Sequence, residues 1–184
     1  MLIGRLLDEV LGTKARVRVL RVLSRDQEIT GRELARRAGI SAAAAHAAAR
    51  GLSSLGLVRV SAKGTGHLYS LNGSHYLLRQ AGLGLLLSEE GLYPRRIASE
   101  LTKGIENAWI ESVALFGSIV RGEARATSDL DVLVLARDSS KVPRIKDILL
   151  ERHHAILDRF GVRPSPCVIG VAAFIAGYRK GDPL

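Results

Sequence analysis

Two short segments in the second half of the chain carry residues that can act on phosphate groups. Gly117 and Ser118 directly follow an apolar run. A glycine there lets the backbone approach a triphosphate, and the serine hydroxyl and the N–H groups of a following helix can bind its oxygens. Asp129 and Asp131 are two residues apart, so on a strand both carboxylates lie on one face and can hold Mg²⁺ together with substrate phosphates. The pattern indicates nucleoside triphosphate binding, or in-line phosphoryl displacement.

These segments together form a recognisable signature of Gly-Ser, then Arg-Gly, then Ser-Asp-x-Asp. On these motifs, residues 110–170 resemble the minimal nucleotidyltransferases of prokaryotes in the polymerase-beta-like superfamily, including those fused behind a winged helix. The resemblance implies nucleotide binding by Gly117, Ser118, Arg121 and Ser128, and catalysis and metal binding by Asp129 and Asp131. It also implies Mg²⁺ and a nucleoside triphosphate, ATP first, as ligands. Arg121 has a structural alternative, in which it ties the following helix to the strand.

One departure from the family pattern concerns the transfer reaction. Catalytic members of the resembled family carry a third carboxylate on the strand after the long helix, where it completes the metal site and acts as general base. Here that segment, residues 162–169, contains no acid, and Cys167 is interpreted as a small core residue. We therefore expect nucleotide binding with weak or absent transfer, unless another acid substitutes. The candidates for that substitution are Glu123, Asp138, Glu151 and Asp158.

The first 73 residues predict a winged helix-turn-helix. Helical spacing runs over residues 5–24, with Gly12 as a candidate interruption. Thr30 and Glu33 form the pattern of a capping box. Gly39 supplies a turn, and Ser41 caps a helix that runs to about residue 55. The pattern then changes to strands at 57–61 and 67–71, joined by a hairpin at 63–66.

This order resembles the repressor-type winged helices of bacteria and archaea, in which the third helix enters the major groove of DNA. The candidate DNA-binding residues are Arg32, Arg36, Arg37, Ser41, His46, Arg50 and Lys63, with Arg59 as a further phosphate contact. The third helix is rich in alanine, which makes no hydrogen bond to bases. The alternative is that this domain serves packing or dimerisation.

The charge of the chain is uneven. Residues 1–75 hold 12 Lys and Arg against 5 Asp and Glu, whereas residues 76–184 hold 15 against 13. A basic N-terminal half favours DNA as a partner, although a solvated basic surface would give the same excess. A single cysteine excludes an intrachain disulfide and favours the cytoplasm. No signal peptide or membrane-spanning run is expected.

The second half predicts an α/β (α+β) domain with a small mixed sheet. Strands are expected at 113–116, 131–135 and 167–169, and helices at 75–88, 92–108, 143–160 and 171–178. The predicted domains are the winged helix at 1–73, connecting helices at 74–108 and the nucleotidyltransferase-like domain at 109–184.

The first functional hypothesis is a transcriptional regulator that binds DNA and senses or uses a nucleoside triphosphate. The second is an active transferase that moves a nucleotide to a hydroxyl of a protein, RNA or small molecule. Family analogy alone adds a third, an antitoxin with a helical toxin partner. A homodimer is also open, since winged-helix regulators are commonly two-fold dimers.

Overall fold

The computed structural model describes residues 5–64, 66–118 and 128–180, except for the side chain of Lys63. The chain divides into two compact units, one up to Gly91 and one from Leu92. Each unit has its own hydrophobic core and is described by itself.

The first unit has the predicted helix, helix, turn, helix and hairpin order. Its elements are α1 Leu6–Leu11, α2 Lys14–Leu23, β1 Ile29–Thr30, α3 Gly31–Ala38, α4 Ala42–Ser54, β2 Val58–Lys63, β3 Gly66–Leu71 and α5 Tyr76–Arg79. The three strands form an antiparallel sheet in the order β1-β3-β2. The short strand β1 was not predicted, since two residues carry no periodic signal. Gly12 does separate α1 from α2, and Thr13 caps α2 by accepting the N–H of Arg16.

Local capping sets the start of both helices of the helix-turn-helix. The Thr30 hydroxyl accepts the N–H of Glu33 at 3.4 Å, and the Ser41 hydroxyl accepts the N–H of Ala44 at 3.2 Å. Gly39 ends α3 at a φ of 61°, a left-handed conformation that favours glycine. The predicted caps and turn are confirmed. Between α2, α3 and α4 the core is built from aliphatic side chains such as Leu20, Leu34 and Leu52.

The helices after the wing differ from the prediction of 75–88 and 92–108. After α5, one helix, α6, runs from Leu83 to Leu101 and contains Pro94. The break lies earlier than predicted, before α6, where Gly82 has a φ of 86°. Glycine adopts this conformation at little cost. Pro94 lacks an N–H donor and its ring crowds the carbonyl four residues before it, yet α6 continues through it. The prediction of a break between residues 88 and 92 was therefore wrong.

The second unit contains a three-stranded mixed sheet in the order β4-β5-β6. Its elements are β4 Ile110–Phe116, β5 Leu130–Ala136, α7 Val142–Glu151, α8 His153–Phe160, β6 Pro164–Gly170 and α9 Val171–Lys180. β5 pairs antiparallel with β4 and parallel with β6. The three strands include the predicted ones, but each has seven residues where four, five and three were predicted. The predicted helix 143–160 is two helices, with Arg152 between them.

One face of this sheet carries the core of the second unit. Val132 and Val134 on β5 are fully buried, and they belong to one cluster with Ile145 and Leu149 of α7 and Ile156 of α8. Because side chains alternate along a strand, Asp131 lies on the opposite face. The two helices therefore cover one face of the sheet, and the Asp131 side chain lies on the other face.

Candidate functional site

The turn after β4 and the start of β5 bring Gly117 and Asp131 into direct contact. Phe116, the last residue of β4, is paired with Asp131 across the sheet. Gly117 has a φ of 77°. A Cβ atom at Gly117 would lie 2.8 Å from the Cγ atom of Asp131 and still closer to Oδ2. Only a glycine therefore allows the carboxylate of Asp131 to lie against the backbone at this turn.

Asp129 and Asp131 flank a buried residue. Leu130 is 1% exposed, whereas Asp131 is half-buried and Asp129 is exposed. This alternation supports the interpretation that both carboxylates lie on the face away from Leu130. Within residues 5–64, 66–118 and 128–180, neither carboxylate forms an ion pair or hydrogen bond. Two adjacent carboxylates without a described cation partner are a suitable donor set for Mg²⁺ with phosphate oxygens as further ligands.

The neighbouring strand β6 places a serine beside Asp131. In the parallel register Asp131 is paired with Ser165, and Leu133 with Cys167. Paired residues of adjacent strands point to the same face, so Ser165 lies next to the carboxylate. Ser165 and Cys167 are both exposed, so the interpretation of Cys167 as a core residue was wrong: it stands on the face opposite α7 and α8.

The acids that were considered as substitutes for a third carboxylate do not reach this position where they are described. Glu151 and Asp158 lie on α7 and α8, whose apolar faces pack against the opposite face of the sheet. Asp138 follows the far end of β5, about 20 Å along the strand from Asp131. Its carboxylate accepts the hydroxyl of Ser140 at 2.6 Å and the backbone N–H at 2.9 Å, which lowers its pKa.

The described part of the chain contains no cluster of three His, Cys, Asp or Glu side chains that could hold a metal ion. Within that part, the candidate metal donors are Asp129 and Asp131. Ser118 and Ser128 are half-buried next to these segments. Arg121 and Glu123, and the helix that Ser118 is expected to cap, lie outside the described residues.

The candidate recognition helix α4 exposes a face made mostly of alanine. Ala43, His46, Ala47 and Arg50 are exposed on it, while Ala45, Ala48, Ala49 and Leu52 are buried. His46 is not simply free on this face, because its Nδ1 lies 3.0 Å from the hydroxyl of Tyr69 on β3. Tyr69 was not singled out from the sequence. Its place on β3 gave no sign that it would reach α4.

Two of the predicted phosphate-binding arginines are already paired within the unit. Nε of Arg36 lies 2.6 Å from a Glu33 oxygen, and Nε of Arg37 lies 2.7 Å from the other. Arg37 also reaches Asp26 at 2.7 Å. Hydrogen bonds from Arg36 and then Arg37 lower the pKa of Glu33 to about 2. In a capping box the Glu33 carboxylate would accept the backbone N–H of Thr30. Here it accepts hydrogen bonds from Arg36 and Arg37 instead.

The remaining predicted DNA contacts lie on the exposed surface of the same unit. Arg32 lines an open groove with Gly66 and His67 of the wing strand. Arg50 on α4 and Arg59 on β2 are exposed. The side chain of Lys63 lies outside the described part of the structure. Among the described residues, Arg32, Arg50 and Arg59 show no acidic partner, whereas Arg36 and Arg37 on α3 are paired.

These features define a winged helix-turn-helix unit and a small mixed α/β unit with a glycine turn against a strand aspartate. Comparison with family models assigns both. A model described as the MarR family matches residues 13–66, and a model described as a nucleotidyltransferase domain matches residues 96–165. The two matches have the order of a winged helix fused to a nucleotidyltransferase domain, as the motifs predicted.

Two solved structures are similar to parts of the chain. The AntR antimony-specific transcriptional repressor is 28% identical with a TM-score of 0.39, over 47% of this chain and 77% of that one. TrmBL2, an archaeal chromatin protein, is 16% identical with a TM-score of 0.32, over 96% of this chain and 73% of that one. Because both TM-scores are below 0.5, the assignment of the domains rests on the family models.

None of the curated proteins matches the sequence. In the part of the chain that the structure describes, every helix is too short or too polar to cross a membrane.

Proposed function

We propose that the protein is a DNA-binding transcriptional regulator whose nucleotidyltransferase domain binds a Mg²⁺-nucleoside triphosphate, with ATP as the first candidate, and transfers nucleotide weakly or not at all. The observation that carries this proposal is the position of Asp131. Its carboxylate lies against the Gly117 backbone on one side and beside Ser165, not an acid, on the other.

The ligand side of the proposal follows from charge. Two neighbouring carboxylates without a described cation partner repel each other, and a divalent cation removes that repulsion. Asp129 and Asp131 would hold Mg²⁺. When bound, the ion would neutralise part of the negative charge of the phosphates. The Gly117 turn lets the Asp131 carboxylate lie against the backbone beside the phosphate-binding segment, in space that a Cβ at this position would fill.

The weak transfer follows from the missing proton acceptor. A positioned general base contributes roughly a hundredfold to ten-thousandfold in rate. The side chain next to Asp131 on β6 is a serine hydroxyl, which at neutral pH does not take up a proton as a carboxylate does. Nucleotide binding and turnover should therefore separate in this protein.

The DNA side follows from the winged helix and its cations. Residues 1–75 have a net charge of +7, from 12 basic and 5 acidic residues. Arg50 and Arg59 are exposed on α4 and β2, where a helix and wing of this type meet the phosphate backbone. Since the exposed face of α4 is largely alanine, we expect phosphate contacts to dominate the affinity.

The nucleotide proposal is tested by calorimetry with ATP and Mg²⁺. The wild type should bind, and Asp129→Asn/Asp131→Asn should lose binding because the metal donors are gone. The matched control is Asp147→Asn, which removes an exposed carboxylate on α7 of the same unit. Equal binding by the double variant would reject the metal assignment. Release of labelled pyrophosphate at about one per second or faster would show an ordinary transferase instead.

The DNA proposal is tested by titrating duplexes over a range of salt concentrations. Each phosphate neutralised adds roughly 0.9 to the slope of log affinity against log salt, so Arg50→Ala should reduce that slope by about one. If the protein binds no duplex even at low salt, the winged helix has the packing role instead.

A further inference from the structure

The single side-chain bridge that the described residues show between α4 and β3 joins His46 to Tyr69. Nδ1 of His46 and the Tyr69 hydroxyl are 3.0 Å apart. Tyr69 is 4% exposed and lies in the centre of the sheet, paired with Ile29 on one side and Val60 on the other. Its ring also lies close to the start of α3, since a Cβ at Gly31 would be 3.2 Å from Cε2. The phenol is therefore held rigidly by its surroundings.

The buried position of Tyr69 favours one tautomer of His46. Among the described residues the Tyr69 hydroxyl has one hydrogen-bond partner, Nδ1 of His46. A buried hydroxyl donates its proton where an acceptor is available. Nδ1 is then the acceptor, and the neutral imidazole carries its hydrogen on Nε2. The outer nitrogen of His46 is thereby a hydrogen-bond donor.

His46 also stands in the part of α4 where a donor is scarce. The exposed residues around it are Ala43, Ala47 and Arg50. The Ser41 hydroxyl accepts the N–H of Ala44 at the helix start, and its own O–H is a donor there, more than one turn before His46. Arg50 is long and flexible, and it can satisfy a phosphate as readily as a base. A fixed imidazole N–H among alanines is the group on this face with a defined direction.

We propose that Tyr69 is a positioning residue that holds His46 so that its Nε2–H donates to a base edge in the major groove, and that this pair determines the sequence preference of the protein. The proposal rests on the DNA-binding function argued above. The base chemistry follows from the donor: guanine presents two acceptors, N7 and O6, in the major groove, whereas cytosine presents the N4 donor. A single donor can also reach N7 of adenine or O4 of thymine, so the discrimination expected is that of guanine over cytosine.

The test is enrichment of a random duplex library by the full-length wild type and three variants. Wild type should select guanine at one position per half-site, by about fivefold or more over cytosine. His46→Ala and Tyr69→Phe should lose that preference, while affinity for random duplex at low salt changes by less than about twofold. Tyr76→Phe is the matched control, because Tyr76 is 64% exposed and its hydroxyl has no partner among the described residues. It should keep the preference.

A second readout follows the tautomer directly. Nitrogen-15 chemical shifts should show His46 with its hydrogen on Nε2 in the wild type, and a mixture of the two tautomers in Tyr69→Phe at the same pH. Thermal unfolding of Tyr69→Phe shows whether this variant is folded. If it is not, the binding test rests on His46→Ala, because His46 is exposed and its replacement leaves the core intact.

The outcomes separate the two proposals. If no variant and no wild type binds any duplex, both the DNA function and this inference are overturned. If wild type binds but His46→Ala and Tyr69→Phe retain its base preference, this inference alone is overturned. A wild-type His46 with its hydrogen on Nδ1 would also overturn it, because the outer nitrogen would then be an acceptor.

Discussion

Arg36 and Arg37 on α3 and the two aspartates at the start of β5 were both predicted to act on phosphate groups. The arginines form ion pairs within their unit, whereas the aspartates form none with the described residues. Arg36 and Arg37 are paired with Glu33, and Arg37 also with Asp26. Asp129 and Asp131 have no cation partner among the described residues. One region has its charge compensated within the domain, and the other does not.

The difference has a physical consequence for ligand binding. A phosphate that approaches Arg36 or Arg37 has to compete with Glu33, so each new contact is offset by one that is lost. A metal ion that approaches Asp129 and Asp131 replaces water and removes repulsion between two like charges. The paired arginines are therefore expected to change DNA affinity only modestly, whereas the unpaired aspartates are expected to form a metal-binding site.

The largest effect is expected where a carboxylate is added beside Asp131. Ser165→Asp places an acid on β6, next to Asp131 on the face of the sheet opposite α7 and α8. We expect it to add a second metal site and to raise nucleotide transfer by roughly a hundredfold to ten-thousandfold over the wild-type background. Mn²⁺ titration followed by electron paramagnetic resonance, together with pyrophosphate release, checks both effects.

Ser165→Asn is the control, since it has the size of aspartate without the charge. An Mn²⁺ stoichiometry that is the same in Ser165→Asp and Ser165→Asn would show that position 165 does not adjoin the metal donors in solution.

The next effect tests the contact between Gly117 and Asp131. Gly117→Ala forces a residue with a side chain into a φ of 77° and into the space of the carboxylate. We expect a loss of stability of about 1–3 kcal/mol and a loss of Mg²⁺-ATP binding of at least about tenfold, because a displaced donor weakens the metal site. Chemical unfolding and calorimetry measure the two effects.

Gly161→Ala separates conformational strain from crowding. Gly161 has a φ of 66° in the same unit, but a Cβ there would meet no atom within 4 Å. It should lose stability and keep nucleotide binding. Equal loss of binding in both variants would assign the effect to general destabilisation.

A smaller effect is expected from removing the compensating acid on α3. Glu33→Gln keeps the shape of the side chain and frees Arg36 and Arg37 from its charge. We expect DNA affinity at low salt to rise a few-fold. The slope of log affinity against log salt should steepen by the amount expected for up to about two further phosphate contacts. Glu28→Gln is the control, since it makes the same charge change in this unit outside that cluster. A rise of the same size in both variants would reflect net charge alone.

The smallest effect concerns pH. The folded-state pKa of Glu33 is about 2, below its ordinary value of 4.5, because Arg36 and Arg37 donate to its carboxylate. A depressed folded pKa gives a contribution to stability that is present above the unfolded value and is lost as pH falls through the folded value. Between pH 4.5 and 2 the unfolding midpoint of the wild type should therefore fall more steeply than that of Glu33→Gln. Parallel curves would show that the ion pairs add nothing in solution.

The sequence by itself determined the features that depend on neighbouring residues. The caps at Thr30 and Ser41 act over three residues, and the turn at Gly39 depends on that glycine alone, so all three could be predicted. The periodicity of apolar residues predicted the strands of the second unit in the same way. The prediction failed at the helix break, which lies before α6 at Gly82 and not between residues 88 and 92, while Pro94 lies inside α6.

Only the tertiary structure decided which distant residues meet. Asp131 reaches Gly117 and Ser165 through strand register, and His46 reaches Tyr69 across 23 residues. Arg37 meets Asp26 and Glu33 at once, so its exposed charge is already paired. Spacing along the chain can show that a residue is able to donate, accept or bind a metal. Which partner it has depends on how sheets and helices pack, because that packing is fixed by the burial of many side chains together rather than by the residue itself.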